Sequence, residues 1–210
     1  MDSRIRAEAS TLAKATYYQF FALFYALHLF AADLIMVNST WTLHHMQDLM
    51  RHIRFLTIFS GASPSITIVY PPCAMQSLLS FPIQPRAAEE PILILSVAQF
   101  RPEKDHALQL HAFAEFHRRA KRKEVRLVLL GGCRSEEDED RVTQLKALAE
   151  DLQIADAVDW EINAPYSTLQ RYLQKATIGL HTMWNEHFGI GVVEYMVSFL
   201  ISLALSGDGH

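Results

Sequence analysis

Ile92-Leu-Ile-Leu-Ser-Val-Ala98 is a continuous apolar run, and Gln99-Phe-Arg-Pro-Glu-Lys-Asp105 follows it as a polar loop. Such a run suits a strand buried on both faces of a parallel sheet. Beyond the loop, His106 to Lys121 carries Leu108, Leu110, Phe113, Ala114 and Phe116 along one side, which predicts an amphipathic helix. The same order then recurs. Val125 to Leu130 predicts a strand ended by Gly131-Gly132, and Glu136 to Leu152 a helix with Val142, Leu145, Leu148 and Leu152 three or four apart. Ala157 to Trp160 predicts a short strand, Tyr166 to Lys175 a helix, Thr177 to His181 a strand, and a last apolar helix opens at Gly191. Strands that alternate with helices imply an α/β fold with a parallel sheet covered on both faces.

Upstream the rhythm is similar. Leu34 to Val37 reads as a buried strand, and Asn38-Ser39-Thr40 supplies helix-capping chemistry. Trp41 to Arg54 predicts a helix, Phe55 to Ser65 a less regular segment, and Ile66 to Tyr70 a second strand stopped by Pro71-Pro72. From Cys73 to Glu90 no period is sustained, so this stretch is read as a connection. Residues 1–85 are thereby separated from a second domain over 90–210.

Composition narrows the function. The chain has 210 residues, half of them apolar, and a formal net charge of −4. No basic surplus points to nucleic acid. Two cysteines, Cys73 and Cys133, make no disulfide framework, which fits a reduced, cytosol-facing environment. Ten histidines include His44, His45 and His52 on one expected helix, but without the spacing of a metal motif, so no metal is expected. Tyr17 to Ala32 is apolar and aromatic, interrupted by Gln19 and His28, and falls short of the roughly 20 residues of a spanning helix. A buried or interfacial helix and a true span both stay open, and the aromatic density suits a headgroup layer. Arg118 to Lys123 is basic, either complementing a helix end or meeting anionic lipid. Glu136 to Asp140 is an acidic run, read as a solvated first helical turn.

In parallel sheets ligands bind beyond the carboxyl ends of the strands. Two loops there carry chemistry. Arg101 and Lys104 place two cations where a diphosphate would sit. In Trp184-Asn-Glu-His-Phe-Gly-Ile-Gly-Val-Val-Glu194, Gly189 and Gly191 let backbone approach a ligand at a helix start. Glu186 and Glu194 bracket that turn and can hold two parts of one extended ligand.

These two glutamates around a glycine-bearing turn resemble the signature of the retaining GT-B glycosyltransferases of family 4. Ser96 to His106, Gly131 to Arg134, Ala176 to Glu194, Val37 to Thr42 and Ile68 to Cys73 are similar to the alpha-1,2-mannosyltransferases of asparagine-linked glycosylation. The likeness covers roughly residues 15–196. It implies a GT-B, Rossmann-like fold, with residues 90–210 as most of the C-terminal nucleotide-sugar domain and residues 1–85 as the last part of the acceptor-side domain. It implies GDP-mannose as donor, a dolichol-linked (lipid-linked) oligosaccharide as acceptor at the cytosolic face of the endoplasmic reticulum membrane, and other mannosyltransferases of the pathway as partners. No cofactor and no metal are implied, because basic side chains and a helix N-terminus neutralise the leaving diphosphate.

By position, Lys104 and Arg101 would contact that diphosphate. Glu186 would be the catalytic carboxylate that holds the mannose hydroxyls. The backbone of Phe188, Gly189, Ile190 and Gly191 would bind sugar and phosphate, and Glu194, in the first turn of its helix, the ribose hydroxyls. Gln99 stands where the broad family often has arginine, which shifts phosphate binding to Arg101. The family's glycine-rich acceptor loop and its histidine base candidates have no counterpart, and after Met196 the likeness gives way to a plain apolar run. The resemblance therefore implies a copy abbreviated at both ends. The alternatives are a membrane-associated fragment that binds nucleotide or a partner without turnover, and another nucleotide-sugar enzyme of the same family.

Overall fold

Strands built of consecutive apolar residues need both faces covered, and here alternate side chains serve two different cores. In the computed structural model, which describes residues 2–51, 53, 64–73, 75–79, 91–119, 124–198 and 200–204, the chain divides at Pro72/Cys73 into two compact units.

The second unit holds a five-stranded, all-parallel sheet. Its strands are β3 (Ile92–Val97), β4 (Val125–Gly131), β5 (Val158–Ile162), β6 (Ile178–His181) and β7 (Ile201–Ala204), in the order β5-β4-β3-β6-β7. The connecting helices are α4 (His106–Arg119), α5 (Glu136–Asp151), α6 (Tyr166–Lys175) and α7 (Ile190–Val197), preceded by a short α3 (Gln76–Leu79). Ile94, Val125, Leu127 and Leu129 point to one face and pack with Leu110 and Phe113 of α4 and Val142, Leu145 and Ala149 of α5. Leu95, Val128 and Leu130 point to the other and pack with Leu78, Leu173 of α6, Tyr195 of α7 and Leu200. The period of two in a strand thus sorts an unbroken apolar run into two cores.

Helix α5 starts where the sequence places it. The Ser135 hydroxyl accepts from the Asp138 N–H at 3.3 Å. The acidic first turn is not wholly solvated: Asp138 is buried, and its carboxylate accepts from the Arg134 N–H at 3.0 Å. A reciprocal cap of this kind satisfies backbone donors that the helix itself cannot.

The apolar run after Met196 becomes a strand. Ile201–Ala204 adds β7 to the sheet edge, with Ile178 opposite Ile201 and His181 opposite Ala204. The sequence reading had no partner to offer it.

In the first unit, α1 (Asp2–Phe30) is one continuous helix, so the aromatic run from Tyr17 is the second half of a longer element. Among the described residues no helix is long and apolar enough to cross a membrane. Tyr17, Phe21 and Tyr25 stack along α1 with ring centroids 6.3 Å apart at each step, and all three are exposed. β1 (Leu34–Val37) pairs in parallel with β2 (Ser65–Ile68), and α2 (Thr40–Arg51) lies between them in sequence. Ser39 caps α2: its Oγ accepts from the Thr42 N–H at 3.1 Å. Strand β2 ends before Val69 and Tyr70, short of the expected bound. His52, most of the 55–65 segment, most of the connection before Glu90, and Ala120 to Lys123 of the basic run lie outside the described residues.

Candidate functional site

The site begins at the carboxyl ends of β3 and β6, which are neighbours in the sheet. From β3 the chain enters a tight turn. Arg101 is extended, Pro102–Lys104 form one 3-10 turn, and Asp105 closes it in the left-handed region at φ 47°. Pro102 at the first position of that turn fixes the backbone angle it needs. From β6 the chain runs through Met183 and Glu186 to Gly189, whose φ of +80° is accessible to glycine at little cost. Gly189 is the N-cap of α7, which begins at Ile190, one residue before the expected start. Glu194 consequently lies beyond the first turn of its helix rather than within it.

Two of the expected residues meet directly. Lys104 Nζ lies 2.9 Å from Glu186 Oε2, and both side chains are largely shielded from solvent. The ammonium also reaches Met183 Sδ at 2.9 Å. The carboxylate is engaged from several sides. His181 Nε2 is 3.0 Å from Oε2 at ion-pair distance, though outside hydrogen-bond geometry, and the His187 N–H donates to Oε1 at 3.1 Å. Burial pushes the Glu186 carboxyl up, but the Lys104 bond and charge, His181 and the Phe188 N–H outweigh it and hold it below its ordinary value. Burial lowers His181 in spite of the raising effect of Glu186.

The other expected residues stand around this pair. Arg101 is exposed at the start of the turn. Gly191 lies where an added Cβ would stand 3.4 Å from the Val97 carbonyl, so the start of α7 sits close against the end of β3. Glu194 is partly buried, and burial alone raises its carboxyl. Gly131 is required on steric grounds, since a Cβ there would fall 1.8 Å from the Ala98 carbonyl oxygen. The Gly131–Arg134 loop is held by Asn163, whose Oδ1 accepts from the Cys133 N–H at 2.8 Å while its Nδ2 donates to the Cys133 carbonyl at 3.0 Å.

The sequence reading missed four contributors. His181 gave no signal because it reads as the end of a strand. Gln109 and Thr182, both buried, bond to each other at 2.7 Å, and Thr182 Oγ1 donates to the Lys104 carbonyl at 2.7 Å. Tyr195 is fully buried, and its hydroxyl accepts from the Val97 N–H at 2.6 Å and lies 3.4 Å from the Leu180 carbonyl. The phenol therefore fills the gap between β3 and β6 beyond the Leu95–Gly179 pair, the last registered pair of that ladder. A buried polar residue facing a backbone group looks, in sequence, like any other helix residue. No group of three or more candidate metal ligands occurs among the described residues.

A family model described as "Glycosyl transferases group 1" matches residues 81–209, the stretch that contains both loops. The chain belongs to the glycosyl transferases group 1 family. A second model, "ALG11 mannosyltransferase N-terminus", matches residues 2–50 of the first unit.

Among curated relatives of this family, the GDP-Man:Man(3)GlcNAc(2)-PP-Dol alpha-1,2-mannosyltransferases of Xenopus laevis and Homo sapiens are 46% and 45% identical. Each alignment takes in 93% of this chain and 38% of the relative, so the chain spans well under half of their length. Sucrose-phosphate synthase from Thermosynechococcus elongatus superposes with a TM-score of 0.63 at 18% identity, over 89% of this chain and 44% of that one. A glycosyltransferase from Rickettsia africae gives 0.63 at 12%, over 88% and 47%. These likenesses establish a GT-B type fold, with the Rossmann-like parallel sheet expected from the alternating strands and helices.

Proposed function

We propose that this chain is the donor-binding portion of a retaining alpha-1,2-mannosyltransferase that moves mannose from GDP-mannose to a dolichol-linked oligosaccharide, for protein N-glycosylation. The observation that carries the reading is the Lys104–Glu186 contact at 2.9 Å. One ammonium there stands between a carboxylate and the mouth of the β3 turn. An ammonium has three donors. Two serve Glu186 and Met183. The third, without a partner among the described residues, would take a phosphate oxygen, so that a single side chain spans the junction between sugar and diphosphate.

Lys104, Arg101 and the backbone from Phe188 to Gly191 then serve the diphosphate. Positive charge and a helix N-terminus stabilise the negative charge that gathers as the bond from mannose C1 to the phosphate oxygen breaks and its electron pair leaves with GDP. Glu186 holds the mannose hydroxyls and faces the positive charge that develops at C1. The acceptor hydroxyl oxygen bonds to C1 on the face the diphosphate leaves, and its proton passes to the departing phosphate oxygen of GDP. Glu194 accepts from the ribose hydroxyls. The relatives' printed names supply the mannose donor and the lipid-linked acceptor. The exposed aromatic residues of α1 support contact with a membrane surface, and the dolichol-linked acceptor in the relatives' names supports the endoplasmic reticulum; a place on its cytosolic face, with the other mannosyltransferases of the pathway as neighbours, is part of the same proposal.

Calorimetric titration with GDP and GDP-mannose tests the reading, with Lys104→Ala and Glu194→Ala as controls. Saturable binding to the wild-type chain, weakened in both variants, supports it. A folded chain that binds neither ligand overturns donor binding as its role.

A further inference from the structure

A carboxamide inside an apolar layer needs a physical reason. Gln109 is fully buried in α4, next to Leu110 of the core. Its Oε1 has no hydrogen-bond partner among the described residues. An unpaired buried oxygen is unfavourable, and an apolar side chain of similar shape would avoid that cost. What the amide does accomplish is a bond from Nε2 to Thr182 Oγ1 at 2.7 Å. Thr182, buried just beyond β6, in turn donates from its Oγ1 hydroxyl to the Lys104 carbonyl at 2.7 Å, with the Asp105 carbonyl at 3.4 Å.

This chain of bonds crosses three elements that are remote in sequence. One end fixes the backbone of the turn that carries Lys104. Asp105 in that turn sits in the left-handed region, sparsely populated for residues other than glycine, so the turn needs external support. The other end fixes the start of the loop that carries Met183 and Glu186. Thr182 immediately precedes Met183, which itself touches the ammonium.

We propose that Gln109 and Thr182 are positioning residues, a buried strut that ties the donor-phosphate turn to the β6–α7 loop and so holds the Lys104 ammonium against the Glu186 carboxylate. Neither touches a ligand. The consequence for donor binding rests on the reading given above, whereas the strut itself does not.

The test uses the full chain with Gln109→Leu, Thr182→Val, the two combined, and Thr182→Ser. The first readout needs no ligand. The Glu186 carboxyl is titrated by 13C NMR, its signal identified by its loss in Glu186→Gln. That carboxyl faces Lys104, His181 and the N–H groups of His187 and Phe188. It should titrate below the ordinary glutamate value in the wild type and in Thr182→Ser, and move up in Gln109→Leu, in Thr182→Val and in the double variant without further addition. The melting temperature of the double variant at neutral pH should hold or rise, because a half-satisfied polar pair gives way to apolar side chains. The second readout is GDP affinity, expected to fall about tenfold in the leucine and valine variants, as loss of one charge-assisted contact would give, and to return in Thr182→Ser.

Folded variants with an unmoved Glu186 titration overturn the strut, as does a drop in melting temperature with no change at Glu186. A wild-type chain that binds no GDP overturns the donor reading instead, and the carboxyl titration still decides the strut.

Discussion

The Lys104 ammonium and the Glu186 carboxylate lie 2.9 Å apart although 82 positions separate them in the chain. Neither loop could hold its charge in this place alone, because each is anchored to a different strand. The pair is the point at which the sheet converts two separate sequence motifs into one site.

That arrangement gives a first prediction. Lys104→Ala should weaken GDP binding at least about tenfold, as expected for loss of a charge-assisted contact to phosphate. The cost to stability should stay near ~1 kcal/mol, because the pair is partly solvated. Calorimetry and thermal unfolding on one preparation separate the two effects. Equal loss of both would mean that Lys104 holds the fold rather than the ligand.

A second prediction concerns pH. His106 is buried, stacks on Phe100 at 4.9 Å, and burial lowers its pKa to about 4 despite Asp105. The unfolded chain takes up a proton near the ordinary histidine value of 6.5, while the folded chain resists until about 4. Stability should therefore be full above pH 6.5 and decline towards pH 4, by roughly 3 kcal/mol from this residue. Urea unfolding at pH 7 and pH 4.5 measures it. His106→Leu should flatten the decline, and an unchanged slope would place its origin elsewhere.

Gly179 supplies a third. A Cβ there would lie 2.3 Å from the Tyr195 ring, which is fully buried against it. Gly179→Ala should cost about 2–4 kcal/mol, since a packed ring cannot withdraw. Pairing it with Tyr195→Leu should recover part of that loss and leave a smaller deficit from the vacated phenol. Denaturant midpoints for the single and double variants give the coupling. Simple additivity would contradict the contact.

Asn163 gives a fourth. It adopts φ 53° and clamps both main-chain groups of Cys133. Asn163→Ala loses the clamp and keeps the unfavourable angle, whereas Asn163→Gly loses only the clamp. Alanine should destabilise by roughly 2 kcal/mol and glycine by less. A glycine variant as unstable as the alanine one would show that the angle matters little.

Much of this was legible beforehand because the signals are local. The runs Ile92–Val97 and Val125–Gly131 are strands within a residue of their sequence bounds, and Tyr166–Lys175 is a helix as read. Capping at Ser39 followed from short polar side chains before a helical pattern. Less legible were elements whose state depends on a partner. The Ile201–Ala204 segment is apolar without period, and only pairing with β6 makes it a strand. Asp138 looked like one of several solvated acids until its bond to the Arg134 N–H placed it as a cap.

By itself the sequence determined the alternation of strands and helices, the two loops that follow β3 and β6, and the candidate charges Arg101, Lys104, Glu186 and Glu194, because apolar period, glycine and proline act over a few residues. Only the tertiary structure decided which of those charges touch. The order β5-β4-β3-β6-β7 makes β3 and β6 neighbours, which brings Lys104 to Glu186. It also buries His181, Gln109, Thr182 and Tyr195 beneath them, because strand order is set by packing both faces of the sheet at once and no local pattern encodes it.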